Sequence, residues 1–330
     1  MKYLTQALWP ITLAITLLAL FGQRADAIDE GRSLYIEGYP GDISYSPGEE
    51  AAFHISTTSP TYDLEIARIG KERTVVFSKN QIEGGQEYAI PEKASAEGCN
   101  WPVAYQLKIP ADWKTGYYEV KMRIADSGGR FSQWNTRTAE GSFFFVVRPA
   151  QPGKDAKILL QLATNTYNAY NNWGGFSVYA YSGMAKNQGH KVSFERPPRS
   201  QFSRWELPFV VWCEENGYEL DYATNGDLEF RPELLENYRL VLSVGHDEYW
   251  SAPMRDHLEA WIAGGGNVAF FSGNSVCWQV RSEDEGKSFS CFKQNYHLDP
   301  IFQTRDFKTL STAWSHHLLE RPENQLTGVG

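Results

Sequence analysis

Leu240-Val241-Leu242-Ser243-Val244-Gly245-His246-Asp247-Glu248-Tyr249-Trp250-Ser251 is the stretch on which the fold turns. Its first five residues form a short apolar run of strand length. The next residues gather an imidazole, two carboxylates and a phenol. Ser251 is then a candidate N-cap for a helix over 252–263, where Leu258, Trp261 and Ile262 make an apolar stripe. Gly264-Gly265-Gly266 ends that helix, and 267–271 reads as another strand. Strand, helix and strand in that order predict a parallel βαβ unit.

The same alternation continues towards the N-terminus. Ile158-Leu159-Leu160-Gln161-Leu162 is a short apolar strand, and 190–195 is a second candidate. Residues 208–216 read as a helix, with Pro208 at its start and Gly217 past its end. A strand at 218–222 and a short helix from 232 to 236 follow. Residues 149–330 are therefore expected to form a doubly wound, mostly parallel α/β sheet. Ligands bind such sheets beyond the carboxyl ends of the strands. Three of those ends carry unusual loops, 164–175, 245–250 and 272–275, and the reading brings them into one crevice.

Residues 28–148 follow a different period. Tyr118, Val120, Met122 and Ile124 share one face, while Glu119, Lys121 and Arg123 share the other. Similar runs occur at 65–69 and 105–109. Turns are marked by Tyr39-Pro40-Gly41-Asp42, Ser46-Pro47-Gly48 and Ser127-Gly128-Gly129. This pattern predicts an all-β domain, a β-sandwich, with 143–147 as its last strand. Pro149-Ala150-Gln151-Pro152-Gly153 is the linker.

Residues 1–27 stand apart. Lys2, the uncharged stretch 7–21 and Ala25-Asp26-Ala27 are the parts of a secretory signal peptide. The alternative is an uncleaved anchor over 3–23. A secreted or periplasmic protein is expected, without stable membrane insertion after cleavage. Leu326-Thr327-Gly328-Val329-Gly330 reads as the entry to a further element, so a fragment or shortened product is expected.

A net charge of -9 without a basic run argues against nucleic acid as a partner. The four cysteines allow three disulfide pairings, of which Cys277–Cys291 is favoured because the two are close in sequence. The absence of C-x-x-C spacing argues against a zinc ribbon. Neither phosphate-loop glycine pattern occurs, and the run from Ser272 to Cys277 lacks nucleophile-elbow spacing. The 245–250 loop can bind a metal or move protons. The competing reading makes Asp247 or Glu248 a flank of the following helix. Tyr167 and Tyr170 can equally pack or bind sugar, and Asn274 can be a turn residue or a polar contact in the crevice.

Four stretches in order carry a resemblance: Thr166-Tyr167-Asn168-Ala169-Tyr170-Asn171-Asn172-Trp173-Gly174-Gly175, Gly217-Tyr218-Glu219-Leu220-Asp221-Tyr222, Ser243-Val244-Gly245-His246-Asp247-Glu248-Tyr249-Trp250 and Phe271-Ser272-Gly273-Asn274. Arg321-Pro322-Glu323-Asn324-Gln325-Leu326-Thr327-Gly328 is a fifth. Together they resemble the C-terminal catalytic region of the large (beta) subunit of N,N-dimethylformamidase. That resemblance implies an amidotransferase-like α/β fold and a mononuclear iron held by two tyrosines and a glutamate. A histidine lies two residues before the glutamate. Carried onto this chain, the implied metal ligands are Glu248, Tyr167 and Tyr118, the last in Gly116-Tyr117-Tyr118. Tyr117 is the alternative if the register slips. His246 and Asn274 are the implied catalytic residues. Two phenolates and a carboxylate suit Fe(III). The expected function is an exported metal-dependent amidohydrolase acting on a small-molecule amide, with a homo-oligomer among the assemblies admitted. Export departs from a cytoplasmic solvent-degrading enzyme, so dimethylformamide itself is not the expected substrate. The alternatives are a non-enzymatic carbohydrate- or ligand-binding protein and a hydrolase using Cys277.

Overall fold

Period-two alternation organises the first half of the chain. The structure, a computed structural model, describes residues 34–126 and 137–330. The expected signal segment and the turn at 127–129 lie outside the described residues. Strands β1 (Ile36–Pro40), β2 (Ser44–Tyr45), β3 (Glu50–Thr57), β4 (Thr61–Ile69) and β5 (Arg73–Glu83) come first. A single turn of helix, α1 (Ala94–Glu97), precedes β6 (Val103–Lys108), β7 (Gly116–Asp126) and β8 (Arg137–Val147). They form a three-stranded sheet ordered β1-β3-β6 and a five-stranded sheet ordered β2-β8-β7-β4-β5. Tyr118, Val120, Met122 and Ile124 are buried as the alternation predicts, in one cluster with Phe53 and Ile55 of the other sheet.

The second half alternates strands with helices. In order come β9 (Ile158–Leu162), α2 (Thr164–Tyr170), β10 (Lys191–Ser193), α3 (Leu207–Glu215), β11 (Asp221–Thr224) and α4 (Asn225–Phe230). Then follow β12 (Leu240–His246), β13 (Tyr249–Ser251), α5 (Ala252–Ala263), β14 (Asn267–Gly273), β15 (Trp278–Glu283), β16 (Ser288–Ser290), α6 (Pro300–Thr304) and α7 (Asn324–Thr327). Strands β11-β9-β12-β14 form a four-stranded sheet in which every pairing is parallel. Their carboxyl ends lie along one edge, so α2, the corner after β12 and the turn after β14 meet there, as the sequence predicts. A second four-stranded sheet, ordered β10-β16-β15-β13, completes the fold.

Both faces of the parallel sheet are covered by apolar side chains. Leu160, Leu162, Leu242 and Val244 pack with Val210 of α3 and with Tyr117, Phe144 and Val146. Those last three project from the five-stranded sheet. Leu159 and Val241 pack on the other face with Leu228 of α4 and Met254 and Leu258 of α5. Residues 34–330 therefore cluster as one compact unit. Arg148 ties its parts together further, with Nη1 3.0 Å from Asp227 Oδ1 and Nη2 3.0 Å from Glu49 Oε2. Ser44 Oγ donates to the same Asp227 oxygen at 2.7 Å.

Some boundaries differ from expectation. The strand expected at 190–195 forms only over Lys191–Ser193 and pairs antiparallel with β16, outside the parallel sheet. The strand expected at 218–222 shifts to Asp221–Thr224. Gly217 has φ +77° and prolongs the turn after α3, while Tyr218 stays half-exposed and stacks on Trp212 at 5.5 Å. The expected loop after β9 opens as the helix α2 instead. All four cysteines are free thiols, so the favoured Cys277–Cys291 bridge is not formed. Among the described residues no helix is long and apolar enough to cross a membrane.

Candidate active site

Asp247 and Glu248 form the two-residue corner between β12 and β13, where the chain passes from the parallel sheet into the second sheet. The corner is held by its backbone. Glu248 N–H donates to Thr166 Oγ1 at 2.9 Å, and Trp278 N–H donates to the Glu248 carbonyl at 2.9 Å. The Glu248 side chain is only 5% exposed. It would be costly to keep charged there without donors, and it has several. Trp278 Nε1–H donates at 2.8 Å, while the Tyr170 and Tyr179 hydroxyls each donate at 3.0 Å. His246 Nε2 lies 3.2 Å from Glu248 Oε2. Burial raises the carboxyl pKa, but the His246 contact, the Lys293 charge and the Tyr179 hydroxyl outweigh it and hold it below the ordinary value.

The phenols form a shell around this carboxylate. Tyr170 and Tyr179 oxygens lie 2.7 Å apart, and Tyr249 O–H donates to Tyr179 at 2.8 Å. Burial and then the Glu248 charge raise the Tyr179 phenol above its usual value. Burial also raises Tyr170 and Tyr249. The cation of the group is Lys293, which is buried. Its Nζ sits 3.2 Å from the centroid of the Tyr179 ring and 5.1 Å from those of Tyr249 and Trp278. Burial pushes this lysine down to about 8.

His246 stands at the rim, its ring centroid 5.4 Å from that of Tyr170 and 6.0 Å from that of Trp205. Its Nε2 is also 3.4 Å from Asn274 Nδ2. Trp205 approaches because residue 245 is glycine. That residue has φ +88°, and a Cβ there would lie 2.4 Å from Trp205 Cβ.

Of the sequence-derived residues, the structure brings His246, Glu248 and Asn274 together. Tyr167 is on the same helix as Tyr170 but donates to Glu206 instead. Burial pushes Glu206 up to about 7. Tyr118 points into the core between the two N-terminal sheets, as its place on the apolar face of β7 dictates. It stacks on Trp113 at 5.0 Å, and its hydroxyl donates to the Lys114 carbonyl at 2.6 Å. Tyr117 stacks on Phe202 at 4.1 Å. Neither Tyr118, Tyr117 nor Tyr167 is hydrogen-bonded to Glu248. Asp247 turns the other way, where it accepts from Ser243 Oγ at 2.7 Å and Gln161 Nε2 at 3.1 Å. Cys277 is pushed up to about 11 by burial, which keeps its thiol protonated and speaks against a nucleophilic role.

Tyr179, Lys293 and Trp278 were missed by sequence reasoning. Tyr170 was singled out in the sequence beside Tyr167, but only as a residue that packs or binds sugar. Lys293 carried no signal, because its importance comes from burial among rings supplied by three other segments. Among the described residues no group of three or more His, Cys, Asp and Glu side chains is placed to hold a metal.

The chain is 28% identical over 233 residues to the N,N-dimethylformamidase beta subunit of Alcaligenes sp, covering 57% of this chain and 29% of that protein. It is 26% identical over 233 residues to the N,N-dimethylformamidase beta subunit of Paracoccus aminophilus, with the same coverage. The match thus spans under a third of either relative's length. Among solved structures, the sporulation control protein Spo0M of Bacillus subtilis aligns at 15% identity over 37% of this chain and 51% of that one, with a TM-score of 0.24, too slight a likeness to define a shared fold. Residues 63–330 match the family described as N,N-dimethylformamidase beta subunit-like, C-terminal, and the chain belongs to that family.

Proposed function

We propose that this protein is an exported amidohydrolase that cleaves a linear amide C–N bond at a mononuclear iron site centred on Glu248. The supporting observation is a triangle of oxygens. Tyr170 and Tyr179 hydroxyls are 2.7 Å apart, and each lies 3.0 Å from Glu248 Oε2. Cis ligands of an octahedral ion with bonds near ~2.0 Å are separated by about 2.8 Å, so these three oxygens are spaced like one face of such a site. The donor set is hard, as Fe(III) prefers. On this reading the ligands are Glu248, Tyr170 and Tyr179, in place of the set with Tyr118 and Tyr167. The two N-terminal sheets are read as a sandwich and the parallel sheet as doubly wound. The signal reading of residues 1–27 places the mature protein outside the cytoplasm.

Bound iron would supply Lewis acidity, polarising an amide carbonyl and making water a better nucleophile at neutral pH. The chain's own residues do the rest. Lys293 offsets negative charge on Glu248 and the phenols from inside the aromatic cage. His246, 15% exposed and in contact with Glu248, is placed to move a proton between solvent and substrate. Asn274 orients His246 and offers an amide to the substrate at the rim. Trp278 and Tyr249 hold the cluster and keep water from its inner side.

Metal analysis tests this reading. Purified protein should hold close to one iron per chain with a visible tyrosinate-to-iron absorption band. Glu248→Ala should lose the metal, and Tyr170→Phe should weaken or shift the band. Protein that stays colourless and iron-free after anaerobic Fe(II) loading and reoxidation would sink the proposal.

A further inference from the structure

Arg196 is fully buried, yet among the described residues no carboxylate pairs with its guanidinium. Such a charge is costly unless its donors are used. Here they all meet neutral oxygens. Nε donates to the Ser193 carbonyl at 2.9 Å, which ties the head group to the end of β10. Nη2 donates to the Asn171 carbonyl at 3.0 Å and to Asn168 Oδ1 at 3.1 Å. Nη1 donates to the carbonyls of Trp173 and Phe176, the latter at 3.3 Å. Burial pushes the guanidinium down to about 9, which leaves it charged at neutral pH. Apart from Ser193, every acceptor lies at the end of α2 or in the chain that follows it. Residues 171–179 form neither helix nor strand, and they are the chain that joins Tyr170 to Tyr179. A backbone bond from Val178 N–H to the Ala169 carbonyl, at 3.2 Å, closes the loop. The flat guanidinium fills its inside and fixes several carbonyls relative to one another, which a point charge cannot do.

We propose that Arg196 is a positioning residue, the peg that holds the loop between Tyr170 and Tyr179 and so sets the 2.7 Å separation of their hydroxyls in front of Glu248. It touches none of these three groups itself and acts only through the backbone that carries the two phenols. Its consequence for metal binding rests on the reading of Glu248, Tyr170 and Tyr179 as ligands, whereas the spacing of the phenols is a property of the chain alone. A ligand set held this way loses affinity when its supporting residues loosen. Lysine at position 196 keeps the charge but loses the fork, so it is not a conservative replacement here.

The test reads the phenols with and without metal. Protein carrying 3-fluorotyrosine is followed by fluorine NMR, with Tyr170→Phe and Tyr179→Phe used to assign the two resonances. In metal-free protein Arg196→Lys should move both, while the resonance of Tyr105, in the N-terminal sheets, stays in place. Arg148→Met removes another buried arginine, away from the loop, and should leave Tyr170 and Tyr179 unmoved. Asn168→Ala frees one arm of the fork and is the milder variant. It should move the same two resonances by less, and it decides the matter if Arg196→Lys does not fold. With Fe(III) added, Arg196→Lys should bind at least tenfold more weakly than wild type and shift the tyrosinate-to-iron band. Phenol resonances that ignore Arg196→Lys, or Asn168→Ala in its stead, overturn the assignment, as does an equal movement in Arg148→Met. Wild type that takes up iron with an affinity and band indifferent to Arg196→Lys sinks this inference and leaves the metal reading standing. Phenols that follow Arg196 in a protein that never takes up iron leave the positioning role standing and sink the metal reading.

Discussion

Asp247 and Glu248 are adjacent carboxylates with opposite surroundings. Asp247 points among Ser243, Gln161 and Asn225, and burial raises its pKa. Glu248 points into a shell of phenols, an indole and a buried lysine, and is held low. The residues alone left open whether either carboxylate only flanks the following helix, and it was the family resemblance, with its H-x-E arrangement, that singled out Glu248. The sequence had no means of naming its partners, because Tyr179, Trp278 and Lys293 come from distant segments with no shared periodicity. Glu206 is a third buried carboxyl, and it yields a pH prediction. Burial raises it from 4.5 to about 7, so between those values the folded chain holds a proton that the unfolded chain has released. Stability should therefore fall as pH rises through that window and level off above it. Glu206→Gln keeps an acceptor for Tyr167 and should remove that decline, leaving the variant more stable than wild type near pH 7.5 in denaturant titrations. A parallel decline in both proteins would show that Glu206 does not titrate as described.

Helix α2 underlies the proposed tyrosine pair. Residues 164–175 read as an asparagine-rich loop, and in a loop Tyr167 and Tyr170 have no fixed relation. As a helix, the segment sends Tyr167 towards Glu206 and Tyr170 towards Glu248 from one turn. Helix α5 was fully legible, since Ser251 caps it by accepting from Met254 N–H at 3.3 Å, and Gly264 follows its last residue. The same Ser251 hydroxyl donates to Glu229 at 2.7 Å. Ser251→Ala should lower the unfolding free energy by about 1–2 kcal/mol, read as a shifted denaturant midpoint with an unchanged slope. Gly245→Ala should cost more for its size than any other single methyl added at the end of β12. It must adopt φ +88° and push against Trp205, a strain of about 1–3 kcal/mol. Because Trp205 leans on His246 and adjoins Glu206, the expected signature is a perturbed His246 resonance together with the stability loss.

The chain's two halves are distinguishable by pattern but not by packing. Tyr117 shows why: alternation assigned it to the polar face of β7, yet at Tyr117 that face is covered by the parallel sheet, α3 and Phe202. A single strand's period reveals which residues share a side, not what lies opposite. The Arg148–Asp227 pair was invisible for the same reason, as its partners sit 79 residues apart. Both side chains are almost fully buried, so Asp227→Ala takes from the guanidinium one of its two carboxylate partners, leaving Glu49, and should cost about 1–3 kcal/mol in unfolding experiments. Arg148→Met with Asp227→Leu should recover part of that loss. The corner at Asp247-Glu248 gives this joined architecture a further property. It is the seam where one strand belongs to the parallel sheet and the next to the mixed one, while the phenols that bond Glu248 hang from other segments. Sliding one sheet by about half an ångström is enough to break contacts that are only 3.0 Å long. The carboxylate and its tyrosines thus act as a built-in strain gauge, and their near-ultraviolet signal should move under pressure or mild denaturant before the backbone as a whole gives way.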